Sequence, residues 1–424
     1  MTSTTRVLIG LGAGVGAGIA LREIPAGENP TISKIVNAIE PIGTLWLNAL
    51  RMTVVPLVLS LVITGVATAH NIAATGRLAR RTIITILILL AAGAVFSAIV
   101  SPAAFALVPI NKTAIAMSAG ATIPTEVPPL AQWITGIIPT NPIKAASDGA
   151  MLPLVVFALF FGFAVTRIEP IRRARLLELF EAIAETMMVI VKWVLIAAPV
   201  GVFALVLPIA ARGGLGIVGA VASYVIVDCA ILLAGTIALY PLVMIFGGVS
   251  LRRFAKACAP AQAVAVSTQS SLASLPAMLA GASEVLKLPP RVTSLVLPLA
   301  VAIFRMTSPM GYIVGAAFVA RLYGVHLSPL QYAAGVAVGV IISMGAVGLP
   351  GQVSFMGTHI PVFSAMGLPL DPIALLLAVD TIPDIFCTAG NVTADMTLAT
   401  LVGMGCAEPA SVLAGPDKNP RDNS

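Results

Sequence analysis

The sequence predicts an all-α integral membrane protein with eight transmembrane helices and two re-entrant helical hairpins. Three observations carry that expectation. Of the 424 residues, 58% are hydrophobic and 10% charged, and the mean hydropathy is +1.02. A soluble domain carries about 45–50% apolar and about 25% charged residues, so this chain has too little polar surface to face water on all sides. Eight apolar stretches also have the roughly 20-residue length that crosses about 30 Å of hydrocarbon, and two more are interrupted at their midpoints.

The eight spans fall near 5–22, 43–69, 82–108, 150–167, 182–211, 217–248, 293–320 and 371–405. The first has Arg6 ahead of an apolar run from Val7 and no small-residue cleavage exit, so it reads as a span and not as a signal peptide. Basic residues gather in three short loops: Arg77, Arg80 and Arg81; Arg172, Arg173 and Arg175; Arg252, Arg253 and Lys256. These follow spans two, four and six, so the positive-inside rule puts all three in the cytoplasm, with both chain ends there as well. The +6 net charge is thus topological and does not signal a nucleic-acid partner. Short loops fit a prokaryotic inner (plasma) membrane, and the tail from Glu408 to Ser424 reads as a disordered cytoplasmic end.

Residues 259–283 are broken by Ser267-Thr268-Gln269-Ser270-Ser271, and residues 331–366 by Gly345, Gly348 and Leu349-Pro350-Gly351-Gln352. Backbone interrupted in this way is tolerated at membrane depth only where it lines a cavity within the protein. The alternatives are two re-entrant hairpins, about 258–284 and 331–366, or two kinked full spans. As hairpins, one enters from each face, and the first leaves Lys287 and Arg291 inside. Paired, Gly/Pro-interrupted segments of this kind point to a transporter site between inverted repeats.

The last span carries Asp380, Asp384, Cys387, Asn391 and Asp395. At about 100° per residue, all five fall within about 80° of one another on a helix. Ionisable groups at membrane depth are expensive and mark ion, proton or substrate paths, although ion-pair networks that serve only structure give the same pattern. In the seventh span, Pro309 lacks an amide proton and clashes with the Arg305 carbonyl four residues back, so the helix should unwind at Arg305. The guanidinium then needs a carboxylate, and the aspartate stripe supplies one. Asp228, in the middle of span six, either packs helices or carries a proton.

Four cysteines without a Cys-x-x-Cys pair, and three histidines, exclude a zinc or haem centre, a disulfide scaffold and any evident cofactor. A serine hydrolase using Ser270 or Asp384 would need an activating base, yet His70, His326 and His359 lie outside the polar motifs, so the chain reads as no enzyme.

These residues resemble the glutamate transporter family, the dicarboxylate/amino acid:cation symporters, over most of the chain. The resemblance rests on PIGTLWLNALRMTVVPLVLSLVITGV, PTNPIKAASDGAMLPLVVFALFFGFA and APVGVFAL. In the site half it rests on STQSSLASLP, GAVGLPGQ and DTIPDIFCTAGNVTADMT. It implies an elevator-type glutamate transporter fold in a homotrimer. Residues 1–81 and 109–211 would form a scaffold (spans 1, 2, 4 and 5), while 82–108 and 212–407 would form a mobile transport domain, with 408–424 as the tail. It further implies that Asp384 binds a substrate amine and Asn391 sits near its carboxylate, with contacts from Thr388, Ser270, Ser271 and Gly351.

Departures from the family pattern shape the expected chemistry. Acidic-substrate members carry an arginine on the last helix where this chain has Cys387, and Gln269 fills the alternative arginine position in the first hairpin. Recognition of a second carboxylate normally asks for a guanidinium, so the substrate is expected to be a small neutral amino acid. The family's asparagine-methionine-aspartate-glycine-threonine signature aligns with Phe304-Arg305-Met306-Thr307-Ser308, which removes two sodium ligands. Third-span hydroxyl ligands are missing from LILLAAGAVF, and Ala346 stands where a threonine is usual. A hard cation wants several oxygens, so no metal is expected. Arg305 would replace bound sodium opposite Asp395, with Asp380 among the charge-compensating groups, and coupling would be to protons or absent, as in exchange or uniport. Two alternatives stay open: an anionic substrate whose second carboxylate meets Arg305, and a sensor or anion channel that does not transport.

Overall fold

In the computed structural model the described residues are 3–23, 30–74, 76–108, 135–213, 215–345, 351–370 and 372–403. Every regular element among them is helical. The apolar composition leaves large side chains such as Leu45, Met52, Ile99, Phe160 and Trp193 exposed, as a lipid-facing surface requires.

The order is α1 (Ser3–Glu23), α2 (Pro30–Ala74), α3 (Arg77–Leu107), α4 (Pro142–Ser147), α5 (Met151–Val165), α6 (Pro170–Ile196), α7 (Ala198–Gly213) and α8 (Leu215–Gly247). It continues with α9 (Leu251–Thr268), α10 (Ser271–Ala280, running into a π turn at Gly281–Val285), α11 (Pro290–Ile303), α12 (Thr307–Tyr323), α13 (Pro329–Gly345), α14 (Gly351–Ala365), α15 (Ile373–Val379) and α16 (Thr381–Gly403). Each expected span coincides with one or two of these helices. Among the described residues, five stretches are long and apolar enough to cross a membrane: Val36–Thr68, Arg77–Leu107, Gly219–Gly247, Pro290–Tyr323 and Thr381–Gly403. The bent pair α6 and α7 makes a sixth, whereas α1, α5 and α13 are shorter apolar helices.

Two expected spans are not the single helices the apolar pattern suggests, and a proline explains each. Span 182–211 bends by 62° between α6 and α7. Pro199 has no amide to bond the Leu195 carbonyl, and the indole of Trp46 donates to the neighbouring Val194 carbonyl at 3.0 Å. Span 371–405 breaks at Asp380, because Pro383 lacks the amide that would bond Val379. In its new first turn, Asp384 N–H donates to the Asp380 carbonyl at 2.8 Å. The break expected around Arg305 is present: Phe304 is extended (φ −116°, ψ 115°) and α12 starts at Thr307.

Helix α1 packs on α7, and α2 on α5, α6 and α7; α16 is packed by α8, α9 and α11, and α12 by α3. Helices α9 and α10 lie side by side, as do α13 and α14. At the base of the α9–α10 pair, Arg253 donates to the Val285 and Leu286 carbonyls at 2.8 and 2.9 Å, so the chain comes back to the end where it started. Arg81, at the start of α3, reaches the Leu401 carbonyl near the end of α16 at 3.0 Å. The expected second tip, 346–350 with Ala346, Gly348 and Pro350, lies outside the described residues, as does the tail.

Candidate functional site

The site is built from the α9–α10 turn, the gap between α11 and α12, and the first turns of α16. At the turn, Gln269 takes a left-handed conformation (φ 52°) that closes α9, and its side-chain amide donates to the Thr381 carbonyl at 3.0 Å. Ser270 caps α10, accepting from Ala273 N–H at 3.2 Å, a bond that satisfies a helix-start amide. Ser271, half-buried, is the first residue of α10. The turn is thereby tied to the start of α16.

On α16, Asp384 and Cys387 are half-buried and Thr388, Asn391 and Asp395 buried. Asp380 sits at the break below α15, half-buried. Gly390 allows the close packing around them, since a Cβ there would meet Thr236 Oγ1 and Thr307 Cγ2 at 2.5 Å. Gln262 of α9 donates to Thr393 Oγ1 at 2.7 Å and to the Tyr240 hydroxyl at 3.0 Å, which joins α8, α9 and α16.

The centre of the site is a residue whose role the pattern did not reveal. Thr307 N–H, at the start of α12, donates to Asn391 Oδ1 at 3.0 Å. The Thr307 hydroxyl lies 2.8 Å from both Asn391 Oδ1 and the Cys387 carbonyl, and 3.1 Å from Cys387 Sγ. A backbone N–H can only donate, so it fixes Asn391 with its oxygen toward α12. The Asn391 amide nitrogen donates to Cys387 Sγ at 3.6 Å, which leaves its second proton for a ligand. Thr307→Val is expected to cost about 1–2 kcal/mol of stability, the worth of a buried hydrogen bond. Thr307→Ser should restore it, as thermal unfolding in detergent will register.

Arg305 is half-buried, and its carbonyl accepts from Ser308 N–H at 3.1 Å and from Ser343 Oγ of α13 at 3.2 Å. Among the described residues no carboxylate comes within 4.0 Å of its guanidinium, so the direct ion pair expected from the sequence is absent. Its charge still acts on Asp384, Cys387 and Asp395. Asp395 is fully buried, and neither carboxylate oxygen has a hydrogen-bond partner. Phe304 and Met306, on either side of Arg305, are buried, and Met306 reaches over Gly93 of α3. Gly351 begins α14. His359, on the same helix, stacks on Phe355 with ring centroids 3.6 Å apart and meets Tyr312 of α12 edge-on.

Residues 4–404 match the model of the sodium:dicarboxylate symporter family. The proton/glutamate-aspartate symporter of Escherichia coli is 29% identical over 380 residues, covering 87% of this chain and 85% of that protein. The proton/sodium-glutamate symport protein of Bacillus caldotenax is 28% identical, covering 87% and 88%. The human neutral amino acid transporter B(0) is 30% identical over 274 residues, covering 63% of this chain and 50% of its own length. With several apolar helices and a match along almost its whole length, the chain belongs to the sodium:dicarboxylate symporter family, as a multi-pass membrane transporter and not an enzyme.

Proposed function

We propose that this chain is a sodium-independent secondary transporter of a small neutral amino acid, in which the Arg305 guanidinium stands in for a bound cation. The observation that carries this reading is the pair of buried apolar side chains beside Arg305. Phe304 and Met306 fill, with carbon and sulfur, the positions from which the family resemblance expects sodium ligands. A hard cation gains nothing from either. Arg305, within electrostatic reach of the orphaned Asp395, supplies a positive charge that cannot dissociate. Asp384 binds the substrate amine and Asn391 its carboxylate, with Thr388, Ser270, Ser271 and Gly351 around them. Cys387, tied to Thr307, leaves no guanidinium on α16 for a second carboxylate. Coupling is to protons, or transport is exchange.

The movement is that of an elevator in a homotrimer of the inner membrane, with eight spans, two re-entrant hairpins and both termini cytoplasmic. In support, Arg253 brings the two ends of the first hairpin together, and Arg81 gathers the end of α16 at the same basic edge of the fold.

A second reading, an anionic substrate, is favoured by one observation: the Arg305 guanidinium has no carboxylate within 4.0 Å among the described residues and can take one from a ligand. Thermal stabilisation of purified protein separates the two. Any ligand that binds only the folded state raises the unfolding temperature by mass action, about 2.7 kcal/mol at a hundred times Kd. Under the first reading L-alanine or L-serine stabilises the protein equally in sodium and choline buffers, and L-aspartate and C4-dicarboxylates do not. Stabilisation only by the diacids selects the second reading, and stabilisation only in sodium overturns the role given to Arg305.

A further inference from the structure

Among the described residues the transport core holds four carboxylates at membrane depth, Asp228, Asp380, Asp384 and Asp395, with the Arg305 guanidinium set among them. Charges at that depth are kept only when they are compensated. The Arg305 charge acts on Asp384 and Asp395. The amine of a bound amino acid supplies a second positive charge at Asp384. The remaining two acids lie elsewhere: α8, which carries Asp228, packs against α15 and α16, the two helices that meet at Asp380, so these like charges face each other across that packing.

Asp228 sits in the middle of α8 at 2% exposure, and its Oδ1 has no hydrogen-bond partner. The Tyr224 hydroxyl, one turn earlier, bonds the carboxylate. Gly311 of α12 faces it, where a Cβ would come 3.9 Å from Oδ1. The ionisable groups around Asp228 are Tyr224 and Cys229 on its own helix and Asp380, followed by Asp384, at the start of α16. Helix α3 has no ionisable residue from Thr82 to Leu107, and α7 has none from Ala198 to Ala211. Helix α15 has none either; α12 carries Tyr312 next to Gly311 and Arg321 in its last turn, and α9 carries Arg252, Arg253 and Lys256 in its first turns, so the cations on the helices packed against α8 sit at helix ends and Asp228 at mid-helix. Asp380, half-buried beside the substrate aspartate, is the member of the pair nearer to water.

We infer that Asp228 and Asp380 form a proton-binding site, and that the proton held there is the ion this transporter moves with its substrate. The inference rests on the sodium-independent reading above and makes it specific: the proton enters at the exposed carboxylate, is shared with the buried one, and leaves by the same route when the site opens to the other side. A carboxyl whose only task is to pack α8 against α12 and α16 would do as well if it never ionised.

Asp228→Asn separates these roles, because an amide keeps the size and polarity of the neutral acid without its proton. Full-length protein is reconstituted into liposomes under an inward proton gradient of one pH unit, with radiolabelled L-serine and L-glutamate as probes. One coupled proton sustains about tenfold accumulation across one pH unit. The wild-type protein should reach that ratio for the probe that stabilises it. Asp228→Asn should still be stabilised by that probe and still exchange it across the membrane, yet accumulate it about onefold, while Asp228→Glu, which can still titrate, accumulates. Should Asp228→Asn not fold, Asp228→Ser is read in the same way. Accumulation by Asp228→Asn at the wild-type ratio overturns the proton site. So does a wild-type protein that is stabilised by a probe and ignores the gradient. A wild-type protein stabilised by neither probe overturns the amino-acid reading itself, and the proton site with it.

Discussion

Uptake without sodium should collapse when Arg305 is replaced by methionine. The substitution keeps an unbranched stem but not the reach of arginine, and it removes the one guanidinium that acts on both Asp384 and Asp395. Asp395 is fully buried and makes no hydrogen bond, so among the described residues nothing else offsets its charge. The two charges act through space and not in contact, so the loss is at most what removing one partner of a buried charge pair costs, about 3–5 kcal/mol. Part of that cost falls on the fold and part on the substrate-bound state, so initial uptake should drop by up to about a hundredfold. Uptake assays in sodium, potassium and choline media also distinguish the kind of failure. If Arg305 takes the place of a bound ion, the variant regains some transport when a small cation is supplied. Unchanged uptake by Arg305→Met would remove the surrogate-ion idea.

Asp384→Asn is expected to leave a folded protein that no longer binds amino acids. Asp384 stands in the first turn of α16, half-buried, with its backbone amide already committed to the Asp380 carbonyl. Its carboxylate lies within the field of Arg305 and is the acceptor assigned to the substrate amine. A charge-assisted bond of this kind, truncated on one side in a desolvated site, costs about 2–5 kcal/mol. The dissociation constant should therefore rise by about thirtyfold to several thousandfold, read as loss of ligand-induced stabilisation. The unfolding temperature without ligand should stay near that of the wild type, because removing a carboxylate relieves repulsion against Asp380. Retained stabilisation by L-serine would move the amine contact elsewhere.

The contrast between these two residues and Thr307 shows what the chain discloses before it folds. The unwinding at Arg305 follows from Pro309, four positions away, and a proline acts on its own helix whatever surrounds it. The same local logic applies to Pro199 and Pro383, which bend or break two expected spans, yet hydropathy alone passes over them because a kinked apolar stretch is as apolar as a straight one. The stripe from Asp384 to Asp395 was legible for a similar reason, since one helix fixes the spacing. Thr307 was not, because its partner Asn391 lies 84 residues later and only the packing of α12 on α16 brings them together. The missing ion pair of Arg305 is a tertiary matter as well: a charge demands compensation, and sequence does not say whether by contact or at a distance.

The contact between α1 and α7 bears on how the chain is made. Gly10, Gly14 and Gly18 stand one turn apart on α1, and a Cβ at Gly14 would come within 3.1 Å of the Phe203 carbonyl oxygen, so the two backbones touch. Hydrocarbon gives helices no hydrophobic reason to associate, and such a seam of small residues holds by close fit alone. Yet the seam cannot close until α7 has left the ribosome, nearly two hundred residues after α1. At about 5–20 residues per second, the first helix waits on the order of 10–40 s with its glycine face against lipid or the insertion machinery. A larger residue at Gly14 would therefore act as an assembly defect: α1 would insert normally and then fail to be joined, leaving a full-length chain for membrane proteases to clear.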